Sequence, residues 1–254
     1  MDVRILGCGT SSGVPRVGND WGECDPHNPK NRRRRVSILV SYGRTRILVD
    51  TGPDLREQLL DANVTDIEAV IWTHDHADHC HGIDDLRQLY HSRRRPVPGY
   101  ARLETLESLE QRFAYAFDGK GGYPAVTEAC LLPDHMNLEG LSIRTVDQPH
   151  GSITTAGLRF DAGGKSIVYS TDFNELTPEM SMTFKGVDLW IVDTLRRRPH
   201  PTHPHLDLAL EMIAEVQPKR ALLTHMDNSM DYDRLMSELP DHVEPAYDGM
   251  EISL

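Results

Sequence analysis

The sequence contains little that would cross-link the chain or anchor it in a membrane. Only four of its 254 residues are cysteines, and they are scattered without a CxxC pair. In a chain of this size that distribution predicts free thiols in a reducing compartment. No apolar run approaches the length of a membrane span, and the first residues show no signal-peptide pattern. We therefore expect a cytoplasmic protein with no membrane partner.

Positive charge is also scarce. The chain has 27 lysines and arginines against 39 aspartates and glutamates, a formal net charge of -12. Such a surface repels nucleic acid at long range, so DNA is not an expected partner and RNA is disfavoured. Three arginine runs stand out at residues 32–35, 93–95 and 196–198. Each is either solvated surface or local positive potential for an anionic substrate, and both interpretations stay open.

The apolar pattern predicts strands first, then a mixture, and then alternating strands and helices. We predict strands at 3–6, 36–40, 46–50, 69–72, 141–146, 158–161, 166–170, 189–192 and 220–223. We predict helices at 54–62, 83–91, 105–117, 206–216 and 231–239. The sequence has no internal repeat, low-complexity stretch or convincing linker. One domain over residues 1–254, with a layered α/β (α+β) architecture, is the simplest interpretation.

A cluster of metal-binding side chains follows the buried strand predicted at 69–72. The loop Thr73-His74-Asp75-His76-Ala77-Asp78-His79 places His74, His76, Asp78 and His79 within six positions. Imidazole nitrogen and carboxylate oxygen are suitable ligands for zinc, and they also accept manganese or iron. A tight turn can aim these side chains as two sets at two neighbouring ions. An HxHxDH pattern directly after a strand is very specific for this chemistry.

Two ions need more ligands than this loop supplies. Three further candidates follow predicted strands in the same way: His150, Asp172 and His225. Each alone could be an ordinary loop residue, but the repeated layout of a strand followed by a ligand supports them together.

A second histidine group lies in the segment Pro199-His200-Pro201-Thr202-His203-Pro204-His205. One interpretation is an exposed His/Pro loop before a helix. The functional interpretation is a general acid, that is, a histidine that protonates a leaving oxygen. We favour His203 for this role and take His205 as the next candidate.

The order LVDTG, THDHADH, PHG, STD and LTH resembles the metallo-β-lactamase superfamily across nearly the whole chain. The opening GCGTSSGVP, the PHPTH segment and the closing YDG resemble its phosphodiesterase branch. That branch includes PhnP-like phosphoribosyl cyclic phosphodiesterases and is related to the tRNA 3′-processing endonucleases. The resemblance implies a four-layer αββα sandwich and a binuclear centre with two divalent ions, Zn²⁺ or Mn²⁺.

The resemblance also implies a role for each candidate residue. His74, His76 and His150 would hold one ion, and Asp78, His79 and His225 the other. Asp172 would bridge both ions, and Asp78 would also take part in catalysis. Asp50 matches the family's buried aspartate, so it would support the metal histidines, and Asp75 would do similar orienting work.

The predicted reaction is hydrolysis of a small, cyclic or linear phosphodiester by an activated water, with His203 as the acid. Ser11 and Ser12, in a small-residue loop, and Arg93 are candidate contacts for the substrate phosphate. His205 is a further candidate substrate contact. A thioester, lactone or lactam hydrolase is the alternative with the same metals. A tRNA-processing nuclease is disfavoured by the acidic charge. A non-catalytic sensor of a nucleotide or phosphosugar is a further alternative, and a homodimer is the default assembly.

Overall fold

Two mixed β-sheets lie at the centre of the fold in the computed structural model, which describes residues 1–254. The first sheet contains β1 (Asp2–Gly7), β2 (Ser37–Tyr42), β3 (Thr45–Val49), β4 (Ala69–Ile71), β5 (Val97–Ala101), β6 (Thr127–Leu131) and the last strand, β14 (Glu251–Ser253). The second contains β7 (His135–Leu138), β8 (Leu141–His150), β9 (Ile153–Ala162), β10 (Lys165–Ser170), β11 (Leu189–Asp193), β12 (Ala221–Thr224) and β13 (Val243–Pro245).

The chain has eight α-helices. They are α1 (Leu55–Asp61), α2 (Ala77–Cys80), α3 (Leu86–Arg93), α4 (Leu103–Arg112), α5 (Ala114–Phe117), α6 (Pro178–Phe184), α7 (Leu206–Val216) and α8 (Tyr232–Glu238). Apolar residues of α1, α3, α4 and α5 pack on the first sheet, and those of α6, α7 and α8 belong to the core of the second. The predicted αββα sandwich is confirmed.

Side-chain alternation explains why the first sheet has two buried faces. Ile47 and Val49 of β3 belong to the core between the sheets, whereas Leu48 belongs to the core under the helices. The same alternation places Ile71 of β4 between the sheets and Val70 under the helices. When both faces of a strand are buried, successive residues are all apolar, and the sequence of both strands shows such a continuous apolar run.

The strand order brings the ends of many strands to one edge. In the first sheet the order is β14-β1-β2-β3-β4-β5-β6, and in the second it is β13-β12-β11-β10-β9-β8-β7. Strands β3 to β6 are parallel, and so are β10 to β13. The loops that follow these strands therefore meet where the carboxyl ends of the two sheets face each other.

Several elements differ from the sequence-based expectation. The helix predicted at 105–117 is two helices, because Phe113 leaves the helical conformation between α4 and α5 (φ -121, ψ 34). Strand β5 was not predicted, because Pro98 and Gly99 are typical of loops. A Cβ at Gly99 would lie 2.4 Å from the ring of Trp72, so only glycine lets this strand pass the indole. Strands β6, β7, β13 and β14 and helix α6 were also missed.

None of the helices is both long and apolar enough to cross a membrane.

Candidate metal centre and active site

The histidine loop joins β4 to α2. Thr73 lies in a bend and His76 is extended (φ -62, ψ 150), and Asp78 and His79 belong to the short helix α2 that follows. His74, Asp78 and His79 are buried, whereas His76 is exposed. The loop therefore supplies two sets of side chains, with His74 and His76 before α2 and Asp78 and His79 within it.

Three residues of this site have a left-handed backbone. The φ angles of Asp50, Asp172 and His225 are 65°, 54° and 58°. Residues other than glycine rarely adopt this conformation, which costs about 1–3 kcal/mol and clusters at functional sites. Each of the three lies just after a strand, β3, β10 or β12. The turn in the backbone directs each side chain into the space between the two sheets.

The first donor group consists of His74, His76, His150 and Asp172, whose ligand atoms lie within 4.8 Å of one another. The Nε2 atoms of His74 and His150 are each 3.8 Å from Oδ1 of Asp172. These are distances at which one cation can bind between the side chains, because zinc–nitrogen and zinc–oxygen bonds are about 2 Å long.

The second donor group consists of Asp78, His79 and His225. The Nε2 atom of His79 lies 3.4 Å from Oδ2 of Asp78 and 3.2 Å from Oδ2 of Asp172. His225 Nε2 is 3.5 Å from each of the same two oxygens. Asp172 thus turns one oxygen towards each group, as a bridging carboxylate would.

Hydrogen bonds fix the orientation of the imidazole rings. His79 donates from Nδ1 to Oδ2 of Asp50 over 2.7 Å, and His150 donates from Nδ1 to the carbonyl oxygen of Thr202 over 2.9 Å. Thr73 also binds Asp50, through its main-chain nitrogen at 2.8 Å and its hydroxyl. With Nδ1 occupied, each ring presents Nε2 to the donor groups, and Asp50 lies where its supporting role requires.

The buried atoms and charges of this site suit divalent cations. The Nε2 atoms of His74 and His79 are buried and have no hydrogen-bond partner. Burial opposes charge on His79, but the carboxylates of Asp172 and Asp78 outweigh it and raise its pKa well above the ordinary value. Burial lowers the pKa of His74, which favours the neutral, metal-binding form. The residues present therefore fit a pair of divalent ions.

His203 lies beside both groups and, with Asp172, Asp193 and His225, forms a third set whose ligand atoms lie within 4.8 Å of one another. Its Nδ1 donates to Oδ2 of Asp193 over 2.7 Å, and its Nε2 lies 3.8 Å from Oδ1 of Asp172. Asp193 is completely buried, and its Oδ2 also accepts from the main-chain nitrogen of Asp172 over 2.8 Å. The sequence analysis missed Asp193, although it ends the buried strand β11 in the same way that the other candidates follow strands.

Two predicted residues lie away from the donor groups. Arg93 pairs with Asp66 at 3.2 Å, and Asp66 precedes β4, at the edge opposite the histidines. The expectation that Arg93 binds substrate is therefore wrong. Asp75 accepts from Ser108 over 2.5 Å and from Arg112 over 3.1 Å. Asp75 therefore links the histidine loop to α4 and does not contact a histidine ring.

The other predicted contacts lie around the site. The main-chain nitrogen of Thr10 donates to Met226, next to His225, over 3.2 Å, so the small-residue loop borders the site. The side chains of Ser11 and Ser12 are exposed there. His205 is the residue before α7 and lies outside both donor groups. The substrate contacts of Ser11, Ser12 and His205 stay predictions.

Comparisons with known proteins show the family to which the chain belongs. The profile of the β-lactamase superfamily domain matches residues 45–226. A solved structure described as a new diphosphatase from the PhnP family is 33% identical with a TM-score of 0.91, over 99% of this chain and 96% of that one. The chain therefore belongs to the β-lactamase superfamily, and within it to the PhnP family, and is a hydrolase of the metallo-β-lactamase fold. The resemblance inferred from the motifs is confirmed.

Other relatives differ in length or are more distant. A Porphyromonas gingivalis protein named octanoyltransferase is 30% identical over 258 residues, which are 99% of this chain and 51% of that protein. The chain thus spans about half the length of this curated relative. Zn²⁺-bound PqqB from Methylobacterium extorquens has a TM-score of 0.82 over the whole of both chains, at 20% identity. At that identity the likeness shows the fold alone.

Proposed function

We propose that the chain is a binuclear metal-dependent phosphodiesterase that acts on a small phosphodiester, such as a cyclic phosphate of ribose or of a nucleotide. His74, His76, His150 and Asp172 would hold one ion, and Asp78, His79, His225 and Asp172 the other. Zinc and manganese both suit this set of ligands. The proposed partner is a small phosphorylated molecule, not a nucleic acid, and the proposed assembly is a homodimer in the cytoplasm.

The observation that carries the proposal is the surplus histidine. Each donor group already contains four protein ligands when Asp172 is counted in both, so neither ion needs His203 as a further ligand, and a five-coordinate ion would still have a position for water. His203 is therefore free for another task, although its Nε2 is as close to Asp172 as those of His74 and His150. An imidazole that is held by a buried carboxylate and turned towards the reaction centre suits a general acid.

The residues divide the work of the reaction between them. Bound divalent ions would supply Lewis acidity and a water that ionises near neutral pH. His203 would hold a proton on Nε2 and transfer it to the oxygen that leaves phosphorus. Asp193 would orient the ring and stabilise its positive charge through Nδ1. The exposed face of His76 leaves this side of the centre open to a small substrate.

The test compares two leaving groups in protein loaded with zinc or manganese. A ribose 2′,3′-cyclic phosphate diester releases a basic alkoxide, whereas bis(p-nitrophenyl) phosphate releases a phenolate that needs little protonation. We expect His203→Ala to lower kcat/KM on the cyclic substrate by about 10²–10⁴-fold, and to change the p-nitrophenyl reaction much less. His205→Ala is the comparison variant, because His205 is the other candidate acid, and we expect any smaller loss that it causes to be equal on the two substrates.

Three results would count against the proposal. No turnover of either diester with either metal would exclude phosphodiesters. An equal loss on both substrates, with loss of bound metal, would make His203 a ligand instead of an acid. A large effect of His205→Ala confined to the cyclic substrate would transfer the acid role to His205.

A diphosphate diester is a second candidate, because the PhnP-family relative is described as a diphosphatase. Its leaving group is a phosphate, which is weakly basic and does not need an acid. If the chain prefers such anhydrides, a dinucleoside diphosphate will be turned over faster than the cyclic diester. His203→Ala will then have little effect on that faster reaction.

A thioester hydrolase is favoured by one observation, the relative named octanoyltransferase. That name belongs to a protein about twice as long as this chain. Release of free thiol from an octanoyl thioester, measured beside the diester assays, tests this alternative. Thioester turnover well above diester turnover would replace the phosphodiesterase proposal.

A further inference from the structure

The loop that follows His225 is held by a segment distant in sequence. Residues 16–33 leave the first sheet after β1 and pack around residues 227–233. The bonds that join them are Glu23 N to Asn228 O (2.8 Å), Asp25 N to Asp231 Oδ2 (3.0 Å), Asn31 Nδ2 to Asp231 Oδ2 (2.7 Å) and Tyr232 N to Asn31 Oδ1 (2.8 Å). We call residues 16–33 the clamp.

Arg33 is the most deeply buried charged residue of the clamp, with 2% of its surface exposed. Its guanidinium donates to the main-chain oxygen of Asp227 over 3.2 Å and to that of Met230 over 2.5 Å. It also contacts the sulphur of Cys24 at 3.8 Å. A buried charge is costly unless it is hydrogen-bonded, so this side chain strongly favours the one loop conformation that supplies both carbonyl oxygens.

The conformation of His225 requires such support. Its backbone is left-handed, and a strained residue of this kind persists only where its surroundings fix it. The next residue, Met226, is held by the main-chain oxygen of Cys8 at 2.9 Å, and Asp227 by that of Leu195 at 2.8 Å. Arg33 binds the carbonyl oxygen of the same Asp227, so it fixes the chain two residues beyond the histidine.

We propose that Arg33 is a positioning residue for His225. Arg33 does not touch the site, but it holds the following loop so that the imidazole of His225 stays directed at Asp78 and Asp172. This rests on the proposed role of His225 as a ligand. Binding of the ion held by Asp78, His79 and His225 then depends on Arg33. Binding of the ion held by His74, His76 and His150 does not, because those side chains follow other strands.

The chain offers a matched control in Arg93. Its side chain is also buried, 3% exposed, but it pairs with Asp66 at the opposite edge. Arg93→Met therefore removes a buried guanidinium of similar size with no connection to the loop after His225. A purely structural role for Arg33 would give both variants the same phenotype, namely lower stability with unchanged metal binding.

The experiment is a Co²⁺ titration of the metal-free proteins, followed by visible absorption, at a temperature where circular dichroism shows every variant folded. We expect Arg33→Met to weaken binding of the Co²⁺ held by Asp78, His79 and His225, called the second ion whatever the order of binding, by at least about tenfold. We also expect a change in its absorption bands, with the other Co²⁺ unaffected. Arg33→Lys lacks the guanidinium that reaches two carbonyl oxygens, so it should also weaken binding of this ion. Because lysine keeps the charge, we expect the loss of affinity to be smaller than in Arg33→Met. Arg93→Met binds both ions as the wild type does.

His225→Ala separates the two hypotheses. If that variant binds two Co²⁺ ions as tightly as the wild type, the assignment of His225 as a ligand is wrong. If His225→Ala loses the second ion and Arg33→Met does not, the role proposed for Arg33 is overturned. Should Arg33→Met fail to fold, Arg33→Lys decides, and wild-type affinity for the second ion in that variant overturns the role equally.

Discussion

His203 donates a hydrogen bond from Nδ1 to the completely buried carboxylate of Asp193, over 2.7 Å. The carboxylate holds the ring with Nε2 towards the donor groups. The same carboxylate binds the main-chain nitrogen of Asp172. One side chain thus links the proposed acid to the proposed bridging ligand.

Asp193→Asn should therefore lower the rate on substrates with a basic leaving group. The amide keeps the size of the side chain but cannot stabilise a positive charge on His203. We expect kcat/KM on the cyclic diester to fall on the order of 10²-fold, with a much smaller change for bis(p-nitrophenyl) phosphate. Asp188→Asn, just before the other end of β11, is the control and should affect neither rate. Equal losses on both substrates would contradict the role of Asp193.

Asp50→Asn should weaken metal binding. Asp50 accepts the Nδ1 proton of His79 and two hydrogen bonds from Thr73, so its removal frees both the ring and the loop. Loss of such support typically costs about 10–100-fold in metal affinity. A competition titration with a chelating dye measures this. Asp75→Asn is the matched control, because Asp75 points to Ser108 and Arg112, and equal losses in the two variants would contradict the assignment.

The proposed metal ligands could be picked out in the sequence because each is a local signal. A buried strand is a recognisable apolar run, and His150, Asp172 and His225 follow such runs as the histidine loop does. Alternation along β3 and β4 gives the two-faced sheet in the same way. These features depend on residues that are adjacent in the chain, so they can be recognised from the sequence alone.

The features that were missed depend on residues distant in sequence. Asp193 can be recognised as a functional residue only from its hydrogen bond to His203, which lies in a different segment of the chain. Strand β5 can pass the indole of Trp72 only because residue 99 is a glycine. Arg93 belongs to an arginine run that resembles a phosphate contact, but the direction of β4 places it at the opposite edge. No local pattern contains this information.

Removal of metal should make stability more dependent on pH. Burial opposes charge on His225, but Asp172 and Asp193 outweigh it and raise its pKa from 6.5 to about 9 in the metal-free protein. The stabilisation is fully present below pH 6.5 and is lost as the pH rises through 9, a change of roughly 3 kcal/mol. Urea unfolding of metal-free protein from pH 6.5 to 9.5 should show this decline, and metal-free His225→Ala should show less of it. A parallel decline in both proteins would contradict the assignment.

A second pH effect should arise at Asp248, which is not one of the proposed metal ligands. Its carboxylate accepts hydrogen bonds from the main-chain nitrogens of Cys8 (3.1 Å) and Arg34 (2.7 Å), but burial outweighs them and raises its pKa from 3.8 to about 7. Since the folded pKa is raised, the stabilisation is complete below pH 3.8 and is lost as the pH rises through 7, a difference of about 4 kcal/mol.

Asp248→Asn imitates the protonated side chain at every pH. We therefore expect the metal-free variant to be more stable than the metal-free wild type at pH 8, with an advantage that shrinks as the pH falls to 5. Urea unfolding at several pH values gives the difference in the free energy of unfolding between the variant and the wild type. The titration of all other groups cancels in this difference. Asp61→Asn is the control, because Asp61 is exposed and pairs with Arg34 on the surface, so its difference from the wild type should not vary in this way. If Asp248→Asn is instead less stable than the wild type at pH 8 by the same amount as at pH 5, the buried carboxyl group does not titrate in the folded protein over this range.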